Sequence, residues 1–236
     1  MEIQIAVAKI NKYAVSESGD TLEVVERPNG GLSVVLADGQ SSGRGAKAVS
    51  MMVVRKVIGL LAEGVRDGAA ARAASDALYT EKGGKVSSTL NIASLDMHTK
   101  SIVLTRNNPA PVLIAHDDEV KPLEGESKPI GTQRTLRPLI DEMPITTGLT
   151  IAFFTDGLVY AGDRRGKPMD AQSLLSELLK DKTMTAQSIA DSLLASAIDL
   201  DEGRPTDDCS VVVLKVVSLA GDSVRRMNVR LPINLG

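Results

Sequence analysis

The alternation of apolar and polar positions predicts three strands at the start of the chain. Residues 2–8 alternate regularly, and residues 21–26 form a second short run of the same kind. Residues 32–37 are apolar and rich in β-branched side chains, which is typical of a buried strand. This third run ends at the dipeptide Asp38-Gly39, so the pattern indicates a buried strand that leads into a loop.

Helical periodicity follows, and then several strands in succession. Apolar side chains recur at helical spacing over residues 46–63, and an alanine-rich stretch at 68–79 predicts a second helix. Short apolar runs separated by turn residues predict six further strands, at 87–97, 101–106, 111–116, 118–123, 136–143 and 150–155. The remaining pattern predicts helices at 170–180 and 185–199 and strands at 209–217 and 223–231.

The order of these elements favours an α+β fold. Strands and helices occur in groups and do not alternate one by one, which argues against a βαβ architecture. We expect an αββα sandwich, in which two packed and mainly antiparallel sheets are covered by a helix pair on each outer side. A length of 236 residues with 43% hydrophobic content suits a single domain over residues 1–236.

Composition and charge exclude several function classes. A net charge of −3 argues against nucleic acid as a partner, because such binding needs a basic surface. No apolar stretch approaches the roughly 20 residues that cross a bilayer, and no signal peptide is visible, so we expect a cytoplasmic protein without membrane contact. The single cysteine, Cys209, begins an apolar run and is interpreted as a buried structural thiol.

Four aspartates share a context that suits metal binding. Asp38 and Asp156 each end an apolar strand and precede a glycine, Asp20 follows a glycine, and Asp207 lies just before an apolar strand. Carboxylates at strand ends can converge in one cleft, and Mg²⁺ and Mn²⁺ prefer such oxygen ligands. The missing side chain of Gly39 would let its carbonyl approach an ion. Asp-Gly is also a common turn, so a plain turn remains the alternative.

Other chemistries have weaker support in the sequence. The glycine-rich stretch before Lys47 is not a P-loop, because Lys47 lies between two alanines. The histidines, His98 and His116, are not at zinc-ligand spacing and are interpreted as surface residues. No Gly-x-Ser-x-Gly nucleophile elbow is present.

Six segments in sequence order resemble the PPM (protein phosphatase 2C-like) family, specifically its SpoIIE-like branch. The resemblance covers roughly residues 15–217, and Asn108 stands where that branch usually has histidine. The matching segments are Ser18-Gly19-Asp20, Val34 to Gly39 with Gly43 and Gly45 after it, Asn108 to Leu113, Pro129-Ile130-Gly131, Phe153 to Leu158, and Asp207 to Val213.

The resemblance implies an αββα fold and a centre with two divalent cations, Mn²⁺ or Mg²⁺. Asp38 would bridge both ions, Asp156 and Asp207 would ligate one, and Asp20 with the Gly39 carbonyl would hold the other. A metal-activated water would be the nucleophile, so no protein side chain would attack the substrate. Asp208, next to Asp207, is expected to support the site without ligating a metal.

Within the branch the chain resembles the small RsbX-type phosphatases of stressosome signalling. This implies a serine/threonine phosphatase that acts on a phosphorylated regulatory protein, expected to carry a STAS domain. Two alternatives stay open: a catalytically inactive scaffold that binds phosphoproteins, and a phosphatase of small phosphate esters. Three arginines, Arg44, Arg164 and Arg165, are candidates for contacts to substrate phosphate, and the loop 158–169 is a candidate for a mobile rim.

Overall fold

A computed structural model describes residues 1–117, 119–219 and 221–232 and contains two five-stranded antiparallel sheets. Asp118, predicted within a strand at 118–123, lies outside the described residues. In spatial order the first sheet consists of β1 (Glu2–Ile10), β10 (Cys209–Val217), β9 (Leu149–Phe154), β6 (Leu113–His116) and β7 (Glu119–Pro122). The second consists of β2 (Asp20–Glu26), β3 (Leu32–Gly39), β4 (Ser88–Asp96), β5 (Ser101–Asn107) and β8 (Leu139–Pro144).

The two sheets pack face to face and each outer face carries helices, as the pattern predicts. The helices are α1 (Gly43–Ala62), α2 (Asp67–Lys82), the short α3 (Asp156–Val159), α4 (Ala171–Leu179) and α5 (Ala186–Leu200). Helices α1 and α2 cover the second sheet, while α4 and α5 cover the first. Within the described residues, no helix is long and apolar enough to cross a membrane.

Strand β1 shows how the alternation places side chains in the core. Ile3, Ile5 and Val7 point toward the second sheet and join the inter-sheet core. Ala6 and Ala8 point the other way, against the core beneath α4 and α5. Because successive side chains of a strand face opposite sides, one alternating run can fill two core layers. The αββα prediction is therefore confirmed.

The predicted strand at 223–231 is wrong. This segment is exposed, with Val229 at 88% and Leu231 at 80% of their accessible surface, and it forms no ladder with any described strand. Arg225 donates to Glu26 Oε1 at 2.9 Å, and Arg226 binds Asp222. The alternating sequence is strand-like, but an isolated strand without a pairing partner is not stable.

The fold brings four chain segments to one end of the sandwich. Strand β2 starts at Asp20 beside the end of β3, and β9 ends just before α3, whose first residue is Asp156. Strand β10 starts two residues after Asp207. The predicted loop 158–169 contains the end of α3 and a 3₁₀ turn at Asp163–Arg165, so part of it is regular structure.

Candidate metal centre

Asp20 and Asp38 lie directly opposite each other at the end of the β2–β3 ladder. Asp20 is fully buried. Burial raises the pKa of Asp38 to about 9, and the neighbouring charges of Asp20, Asp156 and Asp207 raise it further in that order. All four aspartates predicted from the sequence therefore lie near one another in the folded chain.

The two carboxylate oxygens of Asp20 have different environments. Oδ2 accepts hydrogen bonds from Ser210 Oγ at 2.6 Å and Thr155 Oγ1 at 3.1 Å. Oδ1 is buried and has no hydrogen-bond partner. Burial raises the pKa of Asp20 to about 6, while the bond from Ser210 opposes the rise. A buried oxygen without a partner is costly, and a cation would satisfy it, so this residue fits a metal site.

Asp38, Asp156 and Asp207 line a cleft of about 450 Å³. Burial and the neighbouring charge of Asp207 raise the pKa of Asp156. Asp207 is partly open to solvent, with 46% of its side chain exposed. The cleft gives solvent and small ions access to the acidic cluster.

The carboxylates are neighbours without forming a finished coordination shell. Across the described residues, no three His, Cys, Asp or Glu side chains are arranged to hold an ion as they stand. The raised pKa of Asp38 nevertheless shows that its acidic neighbours act on it through space. A small rotation of an aspartate side chain moves its oxygens by ångströms. Coordination would require such rotations.

Asp208 anchors the loops that surround the cluster. Its Oδ1 accepts from the backbone N–H of Lys12 at 2.9 Å, and its Oδ2 accepts from that of Gly19 at 2.8 Å. Both oxygens are thus used by the backbone, and the residue is only 4% exposed. This arrangement fits the supporting role expected for Asp208.

Two glycines in the Asp-Gly pairs are required by close packing. A Cβ on Gly39 would lie 2.0 Å from the carbonyl oxygen of Ala46, and one on Gly157 would lie 2.1 Å from that of Asp208. The glycine after Asp38 therefore lets the start of α1 pack against β3. A metal-ligating role for the Gly39 carbonyl stays a prediction.

Asn108 has a structural role at the edge of the cleft. It is 3% exposed, its Nδ2 donates to the carbonyl of Phe154 at 3.1 Å, and its Oδ1 accepts from Ala110 N at 3.0 Å. The bond to Phe154 ties the loop before β6 to the end of β9, and the bond from Ala110 fixes the loop itself. The departure from histidine at this position therefore leaves the acidic cluster intact.

Sequence reasoning missed two lysines that hold the backbone of Asp20. Lys9 Nζ and Lys47 Nζ each donate to the Asp20 carbonyl oxygen at 2.7 Å. Lys9 is exposed overall, but its ammonium is partly withdrawn from water, and this lowers its pKa. The negative charge of Asp20 opposes the shift. Lys9 continues the alternation of Ile3, Ile5 and Val7. A lysine on the strand face that points between the sheets was the sequence signal that could have revealed its role.

The three predicted phosphate-contacting arginines do not line the cleft. Arg44 has 94% of its side chain exposed and lies 3.8 Å from Glu17. Arg165 pairs with Glu202 at 2.6 Å, and Arg164 is exposed. Among the described residues that line the cleft, Lys12 is the one basic side chain, and its Nζ lies 4.0 Å from Asp207 Oδ1.

Cys209 lies beside the acidic cluster but is unsuited to act as a nucleophile. Cys209 is 2% exposed, and burial raises the pKa of its thiol far above the usual range. A thiol held neutral in this way is inert as a nucleophile. His98 and His116 are exposed, as expected.

Comparison with known proteins gives a consistent picture. The sequence profile of the family described as Stage II sporulation protein E (SpoIIE) matches residues 28–217. Stage II sporulation protein E of Bacillus subtilis (strain 168) is 22% identical over 199 residues, which are 84% of this chain and 24% of that protein. The protein of the same name from Priestia megaterium is 24% identical over 217 residues, 91% of this chain and 36% of that protein. The chain thus spans only 24% to 36% of the length of these curated relatives.

Solved structures share the fold. The PP2C phosphatase domain of SpoIIE from Bacillus subtilis, with a fragment of its regulatory domain, matches with a TM-score of 0.77 and 21% identity over 92% of this chain and 64% of that chain. RsbX in complex with magnesium matches with a TM-score of 0.67 and 18% identity, over 90% and 94% of the two chains. The catalytic domain of the phosphatase PstP with two manganese ions matches at 0.69 and 16%, over 92% and 99%.

Proposed function

Because the chain belongs to the SpoIIE family of PP2C-like phosphatases, we propose that it hydrolyses phosphoserine or phosphothreonine on a protein with the help of two divalent cations. The observation that carries this proposal is the buried, unpartnered Oδ1 of Asp20, opposite Asp38 in an acidic cluster. An isolated buried carboxylate cluster is unstable unless protons or cations neutralise it. The magnesium and manganese in the RsbX and PstP structures support Mg²⁺ or Mn²⁺ as those cations.

Different aspartates would hold different ions. Asp38 would be shared by both ions, Asp156 and Asp207 would hold one, and Asp20 with the Gly39 carbonyl would hold the other. When bound, two such ions supply an activated water and offset charge on the phosphoryl group. Ser210 and Thr155 orient Asp20 by occupying its other oxygen.

Lys12 is the candidate contact for the substrate phosphate. Its ammonium faces the cleft beside Asp207, and Asp208 fixes its backbone through a bond of 2.9 Å. A phosphate that entered the cleft would meet this positive charge next to the metal-binding carboxylates. The Lys12 ammonium could form a charge-assisted hydrogen bond to a phosphate oxygen, and the fixed backbone limits the loss of conformational freedom to the side chain. We therefore prefer Lys12 to Arg44, Arg164 and Arg165 for this role.

A phosphorylated STAS-domain protein is the substrate class we propose to test first. The support is the motif resemblance to RsbX-type phosphatases together with the shared fold over most of both chains. Purified protein incubated with such a substrate and Mn²⁺ or Mg²⁺ is expected to release phosphate. No release at any metal concentration would contradict the enzymatic proposal. The cytoplasmic location also stays a prediction.

The inactive scaffold remains the second candidate, and one observation favours it. No three acidic side chains of the described residues are arranged to hold an ion as they stand, and a scaffold would not need such an arrangement. Calorimetric titration with Mn²⁺ separates the two, because an enzyme of this kind should bind two ions and a scaffold need not. A rate comparison between a nucleotide and a phosphoprotein tests the small-ester alternative.

A further inference from the structure

Tyr160 lies one helical turn after Asp156 on the wall of the same cleft. Helix α3 begins at Asp156, and the N–H of Tyr160 donates to the Asp156 carbonyl at 2.9 Å. Tyr160 directly follows the last residue of α3, and it lines the same cleft as Asp156. The helix thus couples an aromatic side chain to a proposed metal ligand.

This tyrosine is exposed in a chain that has few aromatic residues. The sequence has three tyrosines and two phenylalanines. Tyr160 keeps 59% of its surface accessible, whereas Phe153 and Phe154 are both 1% exposed. Tyrosine gains energy when a partner covers it, because it offers a large apolar ring and a hydroxyl group with only two side-chain torsions. An exposed tyrosine at a cleft is therefore suited to contact a partner.

The backbone beneath Tyr160 is held rigidly. Leu158 and Ala161, on either side of it, are fully buried. Gly157 packs so closely against the Asp208 carbonyl that even a Cβ would collide. Because the backbone cannot shift easily, ordering the Tyr160 ring on binding would involve little loss of conformational freedom.

The cleft has an apolar part that metal chemistry does not require. Five of its lining residues carry apolar side chains, namely Pro109, Ala110, Pro111, Pro129 and Val159. Its volume of about 450 Å³ falls in the usual range for ligand sites, about 300–1,000 Å³. A phosphoryl group would lie at the cations held by Asp38, Asp156 and Asp207, and the rest of the cleft is suited to neutral polypeptide.

We propose that Tyr160 contacts the polypeptide that flanks the phosphorylated residue and so favours protein substrates over small phosphate esters. This inference rests on the proposed phosphatase function and adds a specificity-determining residue to it. Tyr160 would bind substrate without taking part in the chemical step. Its loss should raise KM for peptides and leave kcat almost unchanged.

The test compares two substrates that differ only in flanking polypeptide. One is a six-residue phosphothreonine peptide, and the other is N-acetyl-phosphothreonine amide. Tyr160→Ala is expected to raise KM for the peptide about tenfold, the size of a good interface contact, and to change kcat/KM for the capped residue less than about twofold. Tyr160→Phe should retain most of the peptide preference, because the ring is kept.

Met97→Ala provides a matched control. Met97 is 54% exposed in the turn after β4, at the opposite end of that strand from the cleft residues Ser88 and Thr89. This variant should leave both substrates unaffected. Equal losses on both substrates, or no loss on either, would overturn the role of Tyr160 while the phosphatase function stands. A wild-type protein that hydrolyses neither substrate with Mn²⁺ or Mg²⁺ overturns the function itself, and the inference with it.

Discussion

Asp20, the first residue of β2, lies directly opposite Asp38 in the β2–β3 ladder. Asp38 is the second-to-last residue of β3. Like charges directly opposite each other destabilise a sheet. Here burial raises the pKa of Asp38 to about 9 and that of Asp20 to about 6. Without metal, the buried Asp20–Asp38 pair therefore retains a proton at neutral pH. Metal ions and protons compete for the same oxygens.

The stability of the metal-free protein should depend on pH through Asp38. Its pKa rises from 3.8 to about 9 on folding, so between these values the folded state binds more protons than the unfolded state. The contribution of Asp38 is fully present below pH 3.8 and is lost as pH rises toward 9. Urea unfolding in EDTA from pH 5 to 9 should show wild-type stability falling relative to Asp38→Asn. Parallel curves for the two proteins would contradict the shift.

Asp38→Asn should also abolish turnover while leaving the fold intact. A neutral amide removes one negative charge from the proposed bridge between two dications, so metal affinity and rate fall together. Calorimetry with Mn²⁺ and a phosphate-release assay measure the two effects, and circular dichroism checks the fold. Asp76→Asn, an exposed change on α2, is the control and should behave as wild type. Substantial residual activity would show that Asp38 is not the bridge.

Asp208→Ala should loosen both loops that Asp208 anchors. Two backbone N–H groups, of Lys12 and Gly19, lose their acceptor. The bond from Gly19 is buried, so its loss leaves an unsatisfied group that costs about 1–3 kcal/mol, whereas the bond from Lys12 is only partly buried and water can replace it. We expect a loss of unfolding free energy in this range and weaker Mn²⁺ binding, because Gly19 precedes Asp20. Denaturant melts and calorimetry measure the two quantities. Wild-type metal affinity in a destabilised variant would restrict Asp208 to a purely structural role.

Gly39→Ala tests the close approach of α1 to β3. The added Cβ would meet the Ala46 carbonyl at 2.0 Å, so backbone must move and the variant should lose about 2 kcal/mol or more of stability. Gly45→Ala is the matched control, since it lies in the first turn of α1 with no atom within 4 Å of its Cβ. That change should be neutral or stabilise by up to about 1 kcal/mol. Equal effects in thermal melts would refute the packing argument.

Lys12→Met should weaken phosphate recognition and spare metal binding. Loss of a charge-assisted hydrogen bond predicts about a tenfold rise in KM for a phosphopeptide and in the inhibition constant of inorganic phosphate. Lys12→Arg should retain part of the effect through its charge. Lys56→Met, an exposed change on α1, should leave both constants unchanged. If Lys12→Met also matched wild type, the phosphate contact would have to be sought elsewhere.

The periodic pattern predicted the layers of this fold because the order of apolar and polar residues within a strand shows which of its faces is buried. The alternation of Ile3, Ile5 and Val7 was enough to assign one face of β1 to a core. The same reasoning failed for residues 223–231, which alternate equally well. Alternation reports what a segment could bury, but a strand also needs a neighbouring edge, and that neighbour is not encoded locally.

The candidate site was only partly predictable for the same reason. Asp38 and Asp156 could be placed at strand ends, yet their meeting with Asp20 depends on the register of the β2–β3 ladder and on the packing of two sheets. Lys9 and Lys47 converge on one carbonyl from two distant segments. Three arginines were predicted to contact the substrate phosphate because they lie near the motifs in sequence. In the fold they do not line the cleft.

The two bonds accepted by Asp208 join residues that are 196 and 189 positions apart in the chain. Strand β1 likewise depends on β10, which is its only ladder partner among the described strands. On a ribosome that works from the N-terminus, Lys12 and Gly19 emerge long before the carboxylate that holds them. Closing such long loops is slow, so the acidic end of the sandwich should be among the last parts to form. A nascent chain halted before Asp207 would present β1 without a partner, and its acidic cluster would lack Asp207 and the anchoring carboxylate of Asp208.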